Sequence, residues 1–217
     1  MIAGLEHLMR VAIVDYQAGN LRNVQKAVER LNHAADIVQR GEALANADVI
    51  ILPGVGAFGH GMVNLAKAGF VESLRREVLE KGKPILGICL GMHLLGTRGL
   101  EGGEMQGLGL LPMYVPRFDL SKCNVRLPHN GWNSVVIKPE SILFKGVLQG
   151  ADFYFVHSYH VVCDDEAIVA ARCDYGYPFA AALEHENIFA TQFHPEKSQR
   201  HGLRLLDNFL THCKARV

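Results

Sequence analysis

The sequence predicts one α/β domain in three layers, αβα, with a mixed, mostly parallel sheet at its centre. Two observations predict it. In the first half, short apolar runs alternate with stretches whose apolar residues recur at helical spacing. That is the pattern of βαβ units, whose parallel sheet is covered on both faces. From about Met113 the chain turns strand-rich, and turn signals such as Asp164-Asp165, Tyr177-Pro178 and Glu186-Asn187 separate several of the runs. Antiparallel hairpins completing the sheet would read this way.

Arg10–Asp15 reads as a buried strand, and Asn20 stands where an N-cap belongs. The helix after it covers Leu21–Leu31, with Val24, Ala27, Val28 and Leu31 on one side. Strands follow near Ala35–Gln39 and at Asp48–Leu52, the latter ended by Pro53-Gly54. A helix over Val71–Lys81 leads into a strand at Pro84–Ile88. The second half offers strands at Tyr114–Phe118, Trp132–Lys138, Phe153–His157, Ala167–Arg172, Phe179–Glu184 and Ile188–Phe193. Ser198 then caps a last amphipathic helix with Leu203, Leu206, Phe209 and Leu210 on one side. Met9 directly precedes the first strand, so residues 1–8 read as an N-terminal extension and residues 9–217 as a single domain.

Composition excludes several function classes. Lys and Arg total 22 and Asp and Glu total 22, so no overall field favours nucleic acid or an anionic membrane. No apolar run approaches the about 20 residues of a membrane-spanning helix. Glu6 and His7 interrupt the N-terminus before a signal-peptide core could form, and the expected compartment is the cytosol. The five cysteines, Cys89, Cys123, Cys163, Cys173 and Cys213, are odd in number and widely spaced, without a CxxC pair. This argues against a disulfide framework and a thiolate zinc site. No HExxH or HxxxH occurs among the eleven histidines, so neither a metal nor another cofactor is expected.

Ligands of open α/β sheets bind beyond the carboxyl ends of the parallel strands. One such end carries Gly87-Ile88-Cys89-Leu90-Gly91, the cysteine form of a nucleophile elbow. Flanking glycines permit a tight strand-to-helix turn, and the N–H groups of the following helix favour a thiolate. Free cysteine also fills buried βα turns as a small apolar residue, and this segment alone leaves both readings open. A nucleophile needs a base, and the base needs an orienting group. In "FATQFHPEKS" an apolar strand ends at His194, and Pro195 stops further pairing. His194 and Glu196 share a face of extended chain, so Glu196 could hold one ring nitrogen while the other faces Cys89. Oxyanion donors would be the Leu90 N–H and an N–H from Gly54-Val55-Gly56, where glycines allow close backbone approach. In "FVHSYH", His157, Ser158, Tyr159 and His160 could orient a small polar substrate or simply be solvated turn residues.

The segments "GICLGMHLL" and "QFHPEKS" resemble the class I, triad-type glutamine amidotransferases. "VAIVDYQAGNLRNV", "LPGVGAFG", "GLGLLP", "HNGWN" and "YFVHSYH" narrow the resemblance to the glutaminase subunits of imidazole glycerol phosphate synthase, and these segments run in order from residue 11 to residue 198. The resemblance implies a flavodoxin-like sheet and glutamine hydrolysis through a γ-glutamyl thioester on Cys89. It makes His194 the general base and then acid, oriented by Glu196. It implies glutamine contacts from Gly54, Val55, Gly56, Leu90, His93, Ser158, Tyr159 and His160. It also implies a partner, a (β/α)₈-barrel cyclase subunit that uses the ammonia to form imidazole glycerol phosphate and aminoimidazole carboxamide ribotide in histidine synthesis. Asn20, Trp132 and Lys197 would lie toward that partner. Related subunits donate ammonia for sugar amidation in surface-polysaccharide synthesis, which is the alternative pathway. The chain has His93 where this family usually has Gln, Asn130 where it usually has Met, and Gln17-Ala18 where it usually has Gly-Ser or similar. If His93 contacts glutamine, its protonation near an ordinary pKa of about 6.5 should alter glutamine affinity.

Overall fold

The first strand, β1 (Arg10–Val14), is buried on both faces from Val11 to Val14, which shows how the layers arise. Successive side chains of a strand point to opposite faces. Val11 and Ile13 enter one apolar core with Val24 and Val28 of helix α1 (Leu21–Arg30) and Leu205, Leu206 and Phe209 of helix α5 (Gln199–Lys214). Ala12 and Val14 enter the other core, with Leu65 of α2 (Phe58–Lys67), Phe70 and Leu74 of α3 (Phe70–Arg75), and Leu90 and Leu94 of α4 (Leu90–Leu94). The structure, a computed structural model, describes residues 9–215, so the expected 1–8 extension lies outside the described residues. No helix among the described residues is long and apolar enough to cross a membrane.

The remaining strands are β2 (Ala34–Val38), β3 (Val49–Gly54), β4 (Ile85–Cys89), β5 (Arg98–Gly99), β6 (Met105–Gln106), β7 (Met113–Val115), β8 (His129–Ile137), β9 (Asp152–His157), β10 (Val162–Cys163), β11 (Val169–Asp174), β12 (Pro178–His185) and β13 (Ile188–Thr191). Nine form the main sheet in the order β2-β1-β3-β4-β13-β12-β11-β8-β9. The pairings from β2 through β13 are parallel. Those from β13 to β9 are antiparallel. The three-layer αβα architecture with a mixed sheet is as expected, but the pairings divide evenly, four parallel and four antiparallel, with the antiparallel strands along one side. The far strand does not stay far. The His194 N–H donates to Tyr154 O of β9 at 2.9 Å, which lays β9 back against the end of β13.

Several elements differ from expectation. The strand near Tyr114 belongs to a second sheet, β10-β7-β5-β6, whose outer members are only two residues long and carry no readable period. Helix α2 was not expected, because Gly59 and Gly61 weaken its propensity. Gly61 instead lets α2 sit on Leu90 and Leu94, and Glu101 accepts from the Phe58 N–H at 2.8 Å, a cap supplied from a distant loop. The expected Val71–Lys81 helix is α3 continued by a π-helical turn, Arg76–Glu80. Asn20 and Ser198 occupy N-cap positions, yet neither side chain makes a capping bond. On α5, Leu205 is buried and Leu203 only partly so.

The entry to β4 is held by a buried carboxylate. The Glu77 side chain has no exposed surface and accepts from Lys81 at 2.9 Å, with Lys83 Nζ at 3.1 Å and Arg76 Nε at 3.3 Å. Burial alone would raise its pKa, but the three cations outweigh that and pull it down to about 2. A lowered carboxylate pKa stabilises the fold above the unfolded-state value and loses that contribution as pH falls through the folded one. Glu77→Gln should therefore lower stability at pH 7 by about 1–3 kcal/mol, the scale of hydrogen bonds to a charged group. In urea titrations the gap from wild type should close as pH falls from about 4.5 toward about 2. A gap independent of pH would show that the charge plays no part.

Candidate active site

The topology brings four strand ends to one edge. Gly54 ends β3 directly beside Cys89 at the end of β4. Ile88 pairs with Thr191 of β13, three residues before His194. β9 runs the same way and ends at His157, and the Cys89 Sγ lies 3.9 Å from Val156 O of that strand.

Cys89 holds φ 55° and ψ −110°, a conformation that an L-residue with a side chain rarely adopts. Such a residue costs about 1–3 kcal/mol unless its surroundings impose it. The flanking glycines do this by packing. A Cβ on Gly91 would lie 1.7 Å from Leu52 O, and one on Gly87 would lie 3.0 Å from the Gly91 backbone. So α4 presses onto β3 and β4, and the strained torsion falls on the cysteine itself. The helix it starts is only five residues long, which leaves little helix dipole to act on the sulfur.

His194 and Glu196 are as close as their spacing suggested. The His194 Nδ1 is 2.9 Å from Glu196 Oε1, and both side chains are nearly buried. Nε2 has no hydrogen bond of ordinary geometry among the described residues; its neighbour is the Cys89 sulfur. Burial lowers the pKa of the ring, but the Cys89 sulfur and the Glu196 carboxylate outweigh it and raise the value to about 9. The two acidic groups on either side thus favour the charged form of the ring. Ser198 holds it in place. Its hydroxyl donates to His194 O at 2.6 Å and accepts from the Tyr154 N–H at 3.0 Å, so the expected cap residue clamps the histidine to β9 instead.

A cavity of about 680 Å³ opens on the sulfur, lined by Val55, Gly56, Leu90, His93, Ser158 and Tyr159 from the sequence candidates. Sequence reasoning missed its Glu101 and Arg117, which come from segments without a motif. A groove of similar volume lies between residues 137–149 and α5, away from Cys89 and His194, so size alone does not select the site. Gly54 is buried beneath the cavity, where a Cβ would lie 1.9 Å from Tyr16 Oη. Gly56 has φ +107° with open space around it, a backbone requirement rather than a packing one.

Two histidines correct the expectations. His160 does not line this cavity. Its ring is buried and engaged by Val161 O at 3.1 Å and Tyr177 Oη at 3.0 Å, beside Phe118. His93 does line it, but burial lowers its pKa to about 4, so it stays neutral near pH 6.5 and the expected affinity change there does not follow. The three residues assigned toward a partner are accessible to different degrees. Trp132 is 48% exposed and packs edge-on to Tyr154, and Lys197 Nζ sits over the same Tyr154 ring at 5.4 Å. Asn130, in the same strand, accepts from Tyr154 Oη at 3.0 Å. Asn20 is exposed at the start of α1.

The Glu196 carboxylate is one of the two groups that hold the His194 proton. Glu196→Gln should therefore lower the His194 titration midpoint, read by NMR of labelled imidazole. A midpoint unchanged from wild type would show that the carboxylate does not act on the ring.

Comparison with known proteins places this geometry. The family model described as glutamine amidotransferase class-I matches residues 12–213. The chain is 48% identical over 199 residues to "Imidazole glycerol phosphate synthase subunit HisH 1" of Campylobacter jejuni strain 81-176, covering 92% of this chain and 98% of that one. It is 48% identical over 202 residues to the HisH subunit of Aquifex aeolicus, covering 93% and 96%. Among solved structures, a glutamine amidotransferase superimposes with TM-score 0.73 at 22% identity, over 93% of this chain and 98% of that one. PurLQS from Thermotoga maritima superimposes with TM-score 0.71 at 19% identity, over 94% and 99%. These two likenesses carry the fold. The chain belongs to the class I glutamine amidotransferase family, within the group of HisH subunits of imidazole glycerol phosphate synthase.

Proposed function

We propose that the chain hydrolyses L-glutamine to glutamate and ammonia at Cys89, His194 and Glu196. It then passes the ammonia to a (β/α)₈-barrel cyclase subunit that forms imidazole glycerol phosphate and aminoimidazole carboxamide ribotide in histidine synthesis. The observation that carries this reading is the convergence of a strained cysteine and a carboxylate-held imidazole on one cavity. The relatives' names supply the pathway.

The Cys89 sulfur, its proton held by His194, bonds to the side-chain amide carbon of glutamine. The carbonyl oxygen takes up negative charge, met by the Leu90 N–H and an N–H of the Gly54–Gly56 segment. Collapse breaks the carbon–nitrogen bond as His194 gives its proton to the leaving nitrogen, which departs as ammonia. A thioester remains on Cys89. His194, now neutral, takes a proton from water. The hydroxide adds to the thioester, the carbon–sulfur bond breaks and glutamate leaves. Glu196 keeps the ring oriented throughout. At the cavity rim the carboxylate of Glu101 and the guanidinium of Arg117 suit the ammonium and carboxylate ends of a free amino acid. The Trp132, Tyr154 and Lys197 patch adjoins His194 through Tyr154, a short path from ammonia release to a docked partner.

Cys89→Ala should abolish glutamine hydrolysis, by at least about 10⁴-fold, with an unchanged circular dichroism spectrum. Turnover at the wild-type rate would sink the assignment. Glutamine turnover by the chain alone should be slow and should rise when the cyclase subunit of the same genome is added with its nucleotide substrate. Trp132→Ala should weaken that rise. Full activity without the partner would contradict the coupled role, and stimulation by a sugar-modifying synthetase instead would move the subunit to the alternative pathway.

A further inference from the structure

Beside the triad lies a buried polar pair that the chemistry above leaves unused. Gln192 has no exposed surface, and its backbone N–H is fixed to Ala181 O of β12 at 2.8 Å. Its side-chain Oε1 is 2.7 Å from His93 Nε2, and its Nε2 is 3.9 Å from the Cys89 Sγ. We infer that Gln192 is a positioning residue for the Cys89 sulfur, with His93 locking its amide so that the N–H faces the thiolate. This rests on the reading of Cys89 as the nucleophile.

An amide has a donating and an accepting end, and here one end must meet His93 and the other the sulfur. His93 is neutral at working pH because burial lowers its pKa, so its ring carries a single N–H. With that proton on Nε2, the ring donates to Gln192 Oε1 and the amide N–H is turned to the sulfur. The reverse arrangement would set an oxygen lone pair against a thiolate. On the other side Val156 O, also 3.9 Å from the sulfur, accepts from the thiol but opposes the thiolate. Loss of the Cys89 proton thus favours one amide orientation and, through it, one His93 tautomer. A contact of 3.9 Å is weak for a neutral thiol, and charge on the sulfur strengthens it.

The other titratable groups around the sulfur are His194 with Glu196 behind it, Tyr16 from the end of β1, and His157 from the end of β9. None of them touches the Gln192 amide in a hydrogen bond among the described residues. Gln192 and His93 can therefore be varied without removing a member of the triad.

The test is the pH dependence of Cys89 alkylation by iodoacetamide in the full chain, followed by mass spectrometry of the Cys89 peptide. Gln192→Leu should move the alkylation midpoint up by about one pH unit, the scale of one lost hydrogen bond. His93→Leu should move it similarly, although His93 does not touch the sulfur, because the amide is then free to turn. His93→Gln, whose amide can donate to Gln192 Oε1, should restore the wild-type midpoint. Should Gln192→Leu fail to fold, Gln192→Glu keeps the shape and sets a carboxylate by the sulfur, so its midpoint should rise further. A midpoint unmoved in Gln192→Leu or Gln192→Glu, or equal in His93→Gln and His93→Leu, overturns the inference. The readout is thiol chemistry, so it can fail while Cys89→Ala remains inactive. Turnover by Cys89→Ala would sink the catalytic reading without touching these midpoints.

Discussion

The reactive edge depends on how closely α4 lies on β3. Gly91 approaches the Leu52 carbonyl so nearly that no side chain fits between them, and Gly87 faces Gly91 across the same contact. With both ends pressed against the sheet, the chain turns from strand to helix within one residue, and that residue is Cys89 at φ 55°. The apolar cores on the two faces of the sheet supply the force. Burial of each large side chain among them, such as Phe58, Leu90 and Leu94, contributes about 1.5–3 kcal/mol, against about 1–3 kcal/mol for the strained torsion. The fold can therefore hold the Cys89 side chain in a conformation the isolated segment would not keep.

Electrostatics then act on what packing has placed. His194 is buried, which works against its charge, yet it lies between the Cys89 sulfur and the Glu196 carboxylate, and these raise its pKa. The Ser198 hydroxyl and the Tyr154 backbone hold it from behind, so β9, last in the order of the sheet, becomes part of the site. Tyr154 also carries Trp132 and Lys197 on the outer surface. The groups that hold the His194 ring are thus one residue removed from the outward-facing Trp132 and Lys197.

Much of this was legible in the sequence, and the rest was not for physical reasons. The strands of the parallel half and the Cys89, His194 and Glu196 set were readable because their signals are local: apolar runs, glycine spacing and a His-x-Glu at a strand end. Helix α2 escaped because its cap, Glu101, and its glycine-tolerating neighbours, Leu90 and Leu94, come from elsewhere in the chain. The same distance hid Glu101 and Arg117 from any motif. His160 sat in a promising run, yet it lies beyond the end of β9, where Val161 O and Tyr177 Oη engage its ring outside the cavity. Gln192 was passed over as one more residue of an apolar strand, since its two polar partners, His93 and Cys89, lie about a hundred positions away. Residue type and spacing find groups that act through neighbours in sequence; groups that act across the sheet need the register.

Everything proposed for the site turns on which of the five cysteines acts as the nucleophile toward glutamine. The most direct measurement is labelling with a diazoketone analogue of glutamine, followed by peptide mass spectrometry of the whole chain bound to its cyclase partner. A single adduct on Cys89 is expected, suppressed by excess glutamine and absent from His194→Ala. Adducts shared among Cys123, Cys163, Cys173 and Cys213, or Cys89 labelling that glutamine does not compete away, would contradict it.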